Sequence, residues 1–327
     1  MQPARVMSVA RSELTVQGAD TQLRLQLDRE WQRKAPELRP TIGDWVLVST
    51  PQQQLVQVLE RQSLFKRKAA GERAEVQLIA ANVDILFIVS SCNDDFNLSR
   101  LERYLALAYE SKVEPVVVLT KADLCADPDN YLDEVRRLGN QLQVLAVNAT
   151  AENSAELLEP WCRLGQTVAL VGSSGVGKST LINTLLGDDV QSTGSIRLDD
   201  SKGRHTTTSR SLHCLANGAL VLDSPGIREL QLTDVATGLA DVFRELEELA
   251  ALCKFADCEH GSEPQCAVQQ AIADGVLEPR RLESYRKLRR EDAHNTQTIA
   301  QRHQRMRSWT KSVKQHNATT DKRNPRR

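Results

Sequence analysis

"VALVGSSGVGKST" runs from Val168 to Thr180. An apolar run suited to a buried strand passes into Gly172, Ser173, Ser174, Gly175, Val176, Gly177, Lys178 and Ser179, the Gly-x4-Gly-Lys-Ser spacing of a phosphate-binding loop. A helix-like stretch follows from Thr180. The glycines let the backbone turn so that successive N–H groups point at phosphate oxygens, and the helix start adds its positive end. Lys178 is expected to reach the β and γ oxygens and Ser179 to ligate magnesium. The position is unusual. "VVVLTKAD" (Val116–Asp123), which reads as the base-selecting motif of such a domain, comes before the loop instead of after it.

In that motif Asp123 would accept hydrogen bonds from N1–H and the exocyclic amine of guanine, a pair that adenine lacks. Lys121 would lie along the base, with Thr120 and Ala122 beside it; a plain surface loop after a strand is the alternative. Downstream, "LVLDSPG" puts Asp223 at a strand end, where it would hold magnesium through water, and Gly226, whose N–H would meet the γ-phosphate. Ile227 follows, where a water-orienting Gln often stands. An apolar side chain cannot position the attacking water, so another residue or a partner must. "KGRHTTTSR" (Lys202–Arg210) lies where a first switch loop belongs. Of its threonines, Thr207 is taken as the one that closes on magnesium. His205 is the titratable candidate for orienting water or accepting a proton; contact with RNA or solvent is the other reading. Lys178 and His205 are thus the candidate catalytic residues.

The chain divides into three regions. Residues 1–75 carry about five short strand-like runs, among them "TQLRLQL", "GDWVLV" and "QLVQVLE", which suggest a small OB-type β-barrel, a frequent RNA binder. A basic cluster, Arg61, Lys66, Arg67 and Lys68, closes the region as a possible RNA contact or a linker. Residues 76–232 alternate apolar strands ("DILFIVS", "PVVVLT", "QVLAVNA", "TVALVG", "ALVLDS") with helices, the pattern of an α/β domain around a parallel sheet. A helix stripe of Leu101, Tyr104, Leu105, Ala108 and Tyr109 has a capping-box start in Ser99 and Glu102. Residues 233–327 are mainly helical, with a Cys/His cluster and a polar tail.

Composition bounds the class. The net charge of −1 hides 15 Lys/Arg against 4 Asp/Glu from Arg280 to Arg327, a basic tail on an acidic body. That asymmetry suggests a polyanion such as RNA, or a merely solvated terminus. No run reaches the ~20 apolar residues of a membrane span, and the start has no secretory apolar core, so no membrane and a cytoplasmic location are expected. In "CKFADCEHGSEPQC", Cys253, Cys258, His260 and Cys266 match a closed tetrahedral zinc site, structural because no position is left for a substrate water.

These residues resemble the ribosome small-subunit-dependent GTPases, the RsgA family, over nearly the whole chain. The likeness rests on "GDWV", "AANVD", "RLERYL", "TKADL", "GSSGVGKSTLIN", "GRHTTT", "DSPGIRE" and "CKFADCEHGSEPQCAV", in that order. It implies an OB barrel, a circularly permuted GTPase domain and a zinc-containing C-terminal domain. It also implies zinc, magnesium with GTP, and GTP hydrolysis stimulated by the small ribosomal subunit and its rRNA during late maturation. A monomer is expected. Two positions depart from the family pattern. Thr120 replaces the usual Asn, and "VNA" (Val147–Ala149) replaces a Ser-Ala pair, leaving Asn148 and Ala149 to back the guanine through backbone N–H groups. Two competing readings are an RNA-binding assembly factor whose pocket only senses GTP and GDP, and an ATPase with a nucleic-acid-binding zinc finger.

Overall fold

The computed structural model describes residues 1–10, 12–68, 76–151, 153–187, 210–223 and 232–296. The first strands are β1 (Gln2–Ala10), β2 (Glu13–Gln17), β3 (Gln22–Gln26), β4 (Trp45–Ser49) and β5 (Gln54–Val58), with helix α1 (Arg29–Arg33) between the third and fourth. They pair in the order β3-β2-β1-β4-β5, all antiparallel. Alternate residues point inward, as the period-2 runs require. Val6, Leu14, Val16, Leu25, Val46, Val48 and Leu55 form the core, and Trp31 from α1 closes it by donating Nε1–H to the Leu55 carbonyl (3.2 Å).

The central sheet is built from β8 (Ile85–Ser91), β9 (Glu114–Thr120), β10 (Gln143–Ala146), β11 (Thr167–Val171), β12 (Arg210–Cys214) and β13 (Leu220–Asp223), in the spatial order β10-β9-β8-β11-β13-β12. All pairs are parallel except β12 with β13. The seven residues of β8 are all buried, as a strand covered on both faces must be. Around the sheet lie α2 (Leu98–Glu110), α3 (Pro128–Arg136), α4 (Ser154–Leu158) and α5 (Lys178–Leu186). After them come α6 (Ala236–Val242), α7 (Arg244–Ala250), α8 (Ala267–Ala273) and a helix α9 over 279–296. A hairpin of β6 (Leu64–Lys68) and β7 (Val76–Ala81) stands apart as a two-stranded sheet.

Three sequence expectations change. The barrel and the central sheet are not separate sheets, because the long strand β1 pairs with β4 through its first half and with β12 through Ser8 and Val9. Helix α2 is capped by Asn97, whose Oδ1 accepts from Arg100 N (3.0 Å), and not by Ser99. Glu102 is then freed from any capping-box role and is wholly buried. Arg61 is no free basic contact: it makes a two-point ion pair with Asp44 (2.7 and 2.8 Å) and donates to the carbonyls of Glu37 and Arg39. Asp44 is wholly buried, so a cation beside it offsets its lost hydration.

The C-terminal helices pack on α2. A Cβ on Gly238 of α6 would lie 2.0 Å from the Ala106 carbonyl oxygen, so only glycine permits this approach, and the Gly238 N–H donates to Glu110 Oε2 (2.9 Å).

Candidate nucleotide site and zinc centre

Because β9, β8, β11 and β13 run parallel, their carboxyl ends share one edge of the sheet, where ligands of open α/β sheets bind. The phosphate loop leaves β11 at Gly172, with φ +146°. A Cβ there would lie 2.2 Å from the Val89 carbonyl oxygen, which explains the glycine. Gly175 and Gly177 have φ of +79° and +93° around Val176, an alternation that curls backbone N–H groups into an anion-binding hollow. Lys178, the first residue of α5, is buried and bridges the loop, donating Nζ to the Gly172 carbonyl (2.8 Å) and to the Ser173 carbonyl. Ser174 and Gly175 are exposed, while Ser179 and Thr180 are half-buried on the first turn of α5.

Thr120, wholly buried at the end of β9, directs its hydroxyl to the carbonyls of Val176 (2.7 Å) and Ser90 (3.1 Å). The shorter side chain therefore still ties the end of β9, where the base-reading motif was expected, to the loop after β11. Lys121 sits in the left-handed region at φ +57°, and Asp123 is exposed in the 3-10 turn Ala122–Leu124 that follows. A non-glycine residue at positive φ stores strain that ordinary loops avoid. The Val147–Thr150 loop lies beside this turn, since the Ala122 N–H reaches the Val147 carbonyl (3.4 Å). Asn148 spends its side-chain oxygen on Thr150 N (3.0 Å) and Thr150 Oγ1 (2.7 Å), and the Ala149 carbonyl accepts from Thr184 of α5 (3.0 Å). The expected base-reading and phosphate-binding residues are thus neighbours. Asp223 ends β13, on the same edge. His205, Thr207 and Gly226 lie outside the described residues.

The second cluster is compact. The ligand atoms of Cys253, Cys258, His260 and Cys266 all lie within 4.8 Å of one another. Cys253 Sγ and Cys266 Sγ are 3.8 Å apart, and each is 3.6 Å from His260 Nδ1. Zinc bonds of about 2.3 Å to sulfur and about 2.05 Å to nitrogen require tetrahedral edges of about 3.8 Å and about 3.6 Å. The donor set fits zinc. The Gln269 N–H points at Cys266 Sγ (3.4 Å), the kind of outer contact that holds a thiolate. Burial, and then Arg286, hold His260 below its ordinary pKa, which favours the neutral ring a metal needs.

The RsgA GTPase family model matches residues 58–233. An ABC transporter model matches residues 160–323; that span contains the phosphate loop, which such ATPases share, but excludes Thr120–Asp123 and the strand that carries it. Small ribosomal subunit biogenesis GTPase RsgA 2 of Vibrio vulnificus is 58% identical over 266 residues, covering 81% of this chain and 76% of that protein. The chain belongs to the RsgA GTPase family. The crystal structure of YjeQ from Thermotoga maritima has the same fold, with a TM-score of 0.66 at 24% identity over 88% of this chain and 96% of that one. YloQ, described as a circularly permuted GTPase, aligns with a TM-score of 0.59 at 23% identity, over 88% and 93%. An RsgA-family chain is a GTP hydrolase, and the strand order described above is the permuted arrangement of that fold.

In this RsgA-family chain, sequence reading missed Arg100 and took Glu102 for a capping residue. Arg100, on the first turn of α2, donates to the Ser173 hydroxyl of the phosphate loop. Glu102 accepts from Arg280 (2.9 Å), Arg281 (2.7 Å) and the Ser284 hydroxyl. The only hint was "RLERYL", in which three charges, Arg100, Glu102 and Arg103, fall among apolar residues; nothing local to it names their partners. No helix among the described residues is long and apolar enough to cross a membrane.

Proposed function

We propose that this chain hydrolyses GTP at the loop 172–180 during late maturation of the small ribosomal subunit, and that contact with that subunit and its rRNA stimulates turnover. One observation supports the nucleotide half: the Thr120 hydroxyl meets the Val176 carbonyl, which brings the expected guanine motif beside the phosphate loop despite their reversed order in the chain. In this reading Asp123 accepts from the guanine edge and Lys121 covers the base, with Ala122, Asn148 and Ala149 behind it. Lys178 leaves its loop carbonyls for the β and γ oxygens. Magnesium, bound with GTP, offsets charge on those oxygens. Ser179 and Thr207 would ligate it, with Asp223 acting through water. The Gly226 N–H would meet the γ-phosphate, and His205 would orient the attacking water or take its proton.

The ribosomal half draws on the name of the Vibrio vulnificus relative and on the basic tail from Arg280. We take residues 1–75, 76–232 and 233–327 as the working domains: an RNA-contacting barrel, the GTPase, and a zinc-held helical unit. A cytoplasmic monomer fits this role. The test is twofold. Hydrolysis of GTP should exceed that of ATP, and Asp123→Asn should move preference toward xanthine nucleotides; an unchanged base preference would overturn the guanine reading. The chain should sediment with small subunits when loaded with a non-hydrolysable GTP analogue and separate with GDP. If sedimentation follows the nucleotide while turnover with subunits stays negligible, the GTP/GDP-sensor reading replaces this one.

A further inference from the structure

Ser173, the second residue of the phosphate loop, is gripped from two sides. Its carbonyl accepts from Lys178 Nζ and its hydroxyl accepts from Arg100 Nη1. The same Nη1 is held by Asp95, through Oδ2 at 2.9 Å and the carbonyl oxygen at 3.3 Å. Asp95 thereby fixes the guanidinium against the loop. The pairing is charge-assisted and sits on the rigid first turn of a helix, so it holds its geometry better than an exposed lysine would.

Two residues further on, the same helix is anchored to the C-terminal region. Glu102 is wholly buried and takes donors from Arg280, Arg281 and Ser284 of α9. Arg281 is itself buried and also bonds Glu245 of α7 and the Val242 carbonyl at the end of α6 (2.8 Å). Arg103 pairs with Glu291 of α9. Arg100 and Glu102 are separated by about 3 Å of helix rise, too short a span to absorb a displacement by bending. A packed helix of this kind moves as a body.

We propose that Arg100 is a positioning residue that ties the phosphate loop to α2, and that through Glu102 the occupancy of the loop is felt by the helices over 236–296. This rests on the nucleotide reading above and adds its regulation: the zinc-held unit is tightened when a nucleoside diphosphate orders the loop. By linkage, tightening that unit strengthens nucleotide binding by the same factor.

The experiment uses the full chain. GDP affinity is measured with a fluorescent GDP, and hydrogen exchange over 236–296 is measured without GDP and at GDP saturating for each variant. In the native chain GDP slows exchange over 236–296 several-fold. Arg100→Ala binds GDP about tenfold more weakly, the effect of losing one charge-assisted bond, and at saturation no longer shows the slowing. Arg100→Lys recovers part of it. Ser173→Ala removes the same bond from the loop side, leaves α2 untouched, and gives the same loss should Arg100→Ala fail to fold. GDP-dependent slowing that survives in both Arg100→Ala and Ser173→Ala overturns the proposal, as does a native chain that binds GDP with no slowing over 236–296. A native chain that binds no GDP overturns the nucleotide reading itself.

Discussion

Thr120 and Val176 are bonded across the join between the two halves of the site, with the threonine hydroxyl 2.7 Å from the valine carbonyl and both residues buried. A hydroxyl has one proton to give, so it serves either Val176 or Ser90 at any moment. The threonine in place of the family's usual Asn thus keeps the tether through a shorter arm.

Thr120→Val keeps the shape and removes the donor. A buried carbonyl left without its partner costs about 1–3 kcal/mol, so the variant should melt earlier and bind GDP about tenfold more weakly. Thr120→Ser, which keeps the hydroxyl, should stay near the native value. Thermal melts and GDP titration of the three proteins measure this; native affinity in Thr120→Val would show the tether to be idle.

Removing Glu102 strands a buried cation, Arg281. Glu102→Ala leaves Arg281 buried with only Glu245 and a carbonyl to meet it, and breaking a buried pair of this kind costs about 3–5 kcal/mol. Glu102→Gln keeps an acceptor and should fall between. Urea unfolding monitored by circular dichroism gives the order; an Ala variant as stable as the native chain would remove Glu102 as the anchor of the C-terminal helices.

The zinc centre makes a separate prediction. The purified chain should hold one zinc per molecule, and Cys258→Ser should hold markedly less. Chelation should raise hydrogen exchange over 251–273, because Cys266, which caps α8, would also ligate the metal. The ligands bind metal as thiolates, so acidification should release zinc as protons compete for them. Full protection of 251–273 in the metal-free chain would make the cluster a packing feature only.

Much of this was readable because it is local. Continuous apolar runs gave the five parallel strands, and glycine spacing gave the loop, since both are written within a dozen residues. The cysteine cluster was legible for the same reason. What the sequence hid is long-range. The pairing of Ser8 and Val9 in β1 with β12 joins residues about 200 positions apart, and no local pattern specifies it. Charges misled most. Glu102 has the spacing of a cap but serves Arg281, and Arg61 sits in a basic run but belongs to Asp44. A charged side chain announces that it needs a partner, not which one. Arg100 was passed over in this way, although it touches Ser173 of the phosphate loop.

A small subunit is expected to complete the hydrolytic site, because the apolar side chain of Ile227 cannot orient an attacking water. The direct measurement is phosphate release from GTP with and without purified small ribosomal subunits, for the native chain and for Lys178→Ala. Turnover of the native chain should rise about tenfold or more with subunits, since a catalytic group supplied by a partner commonly gives more than this, and Lys178→Ala should stay at background in both conditions. Equal native turnover with and without subunits would contradict the account.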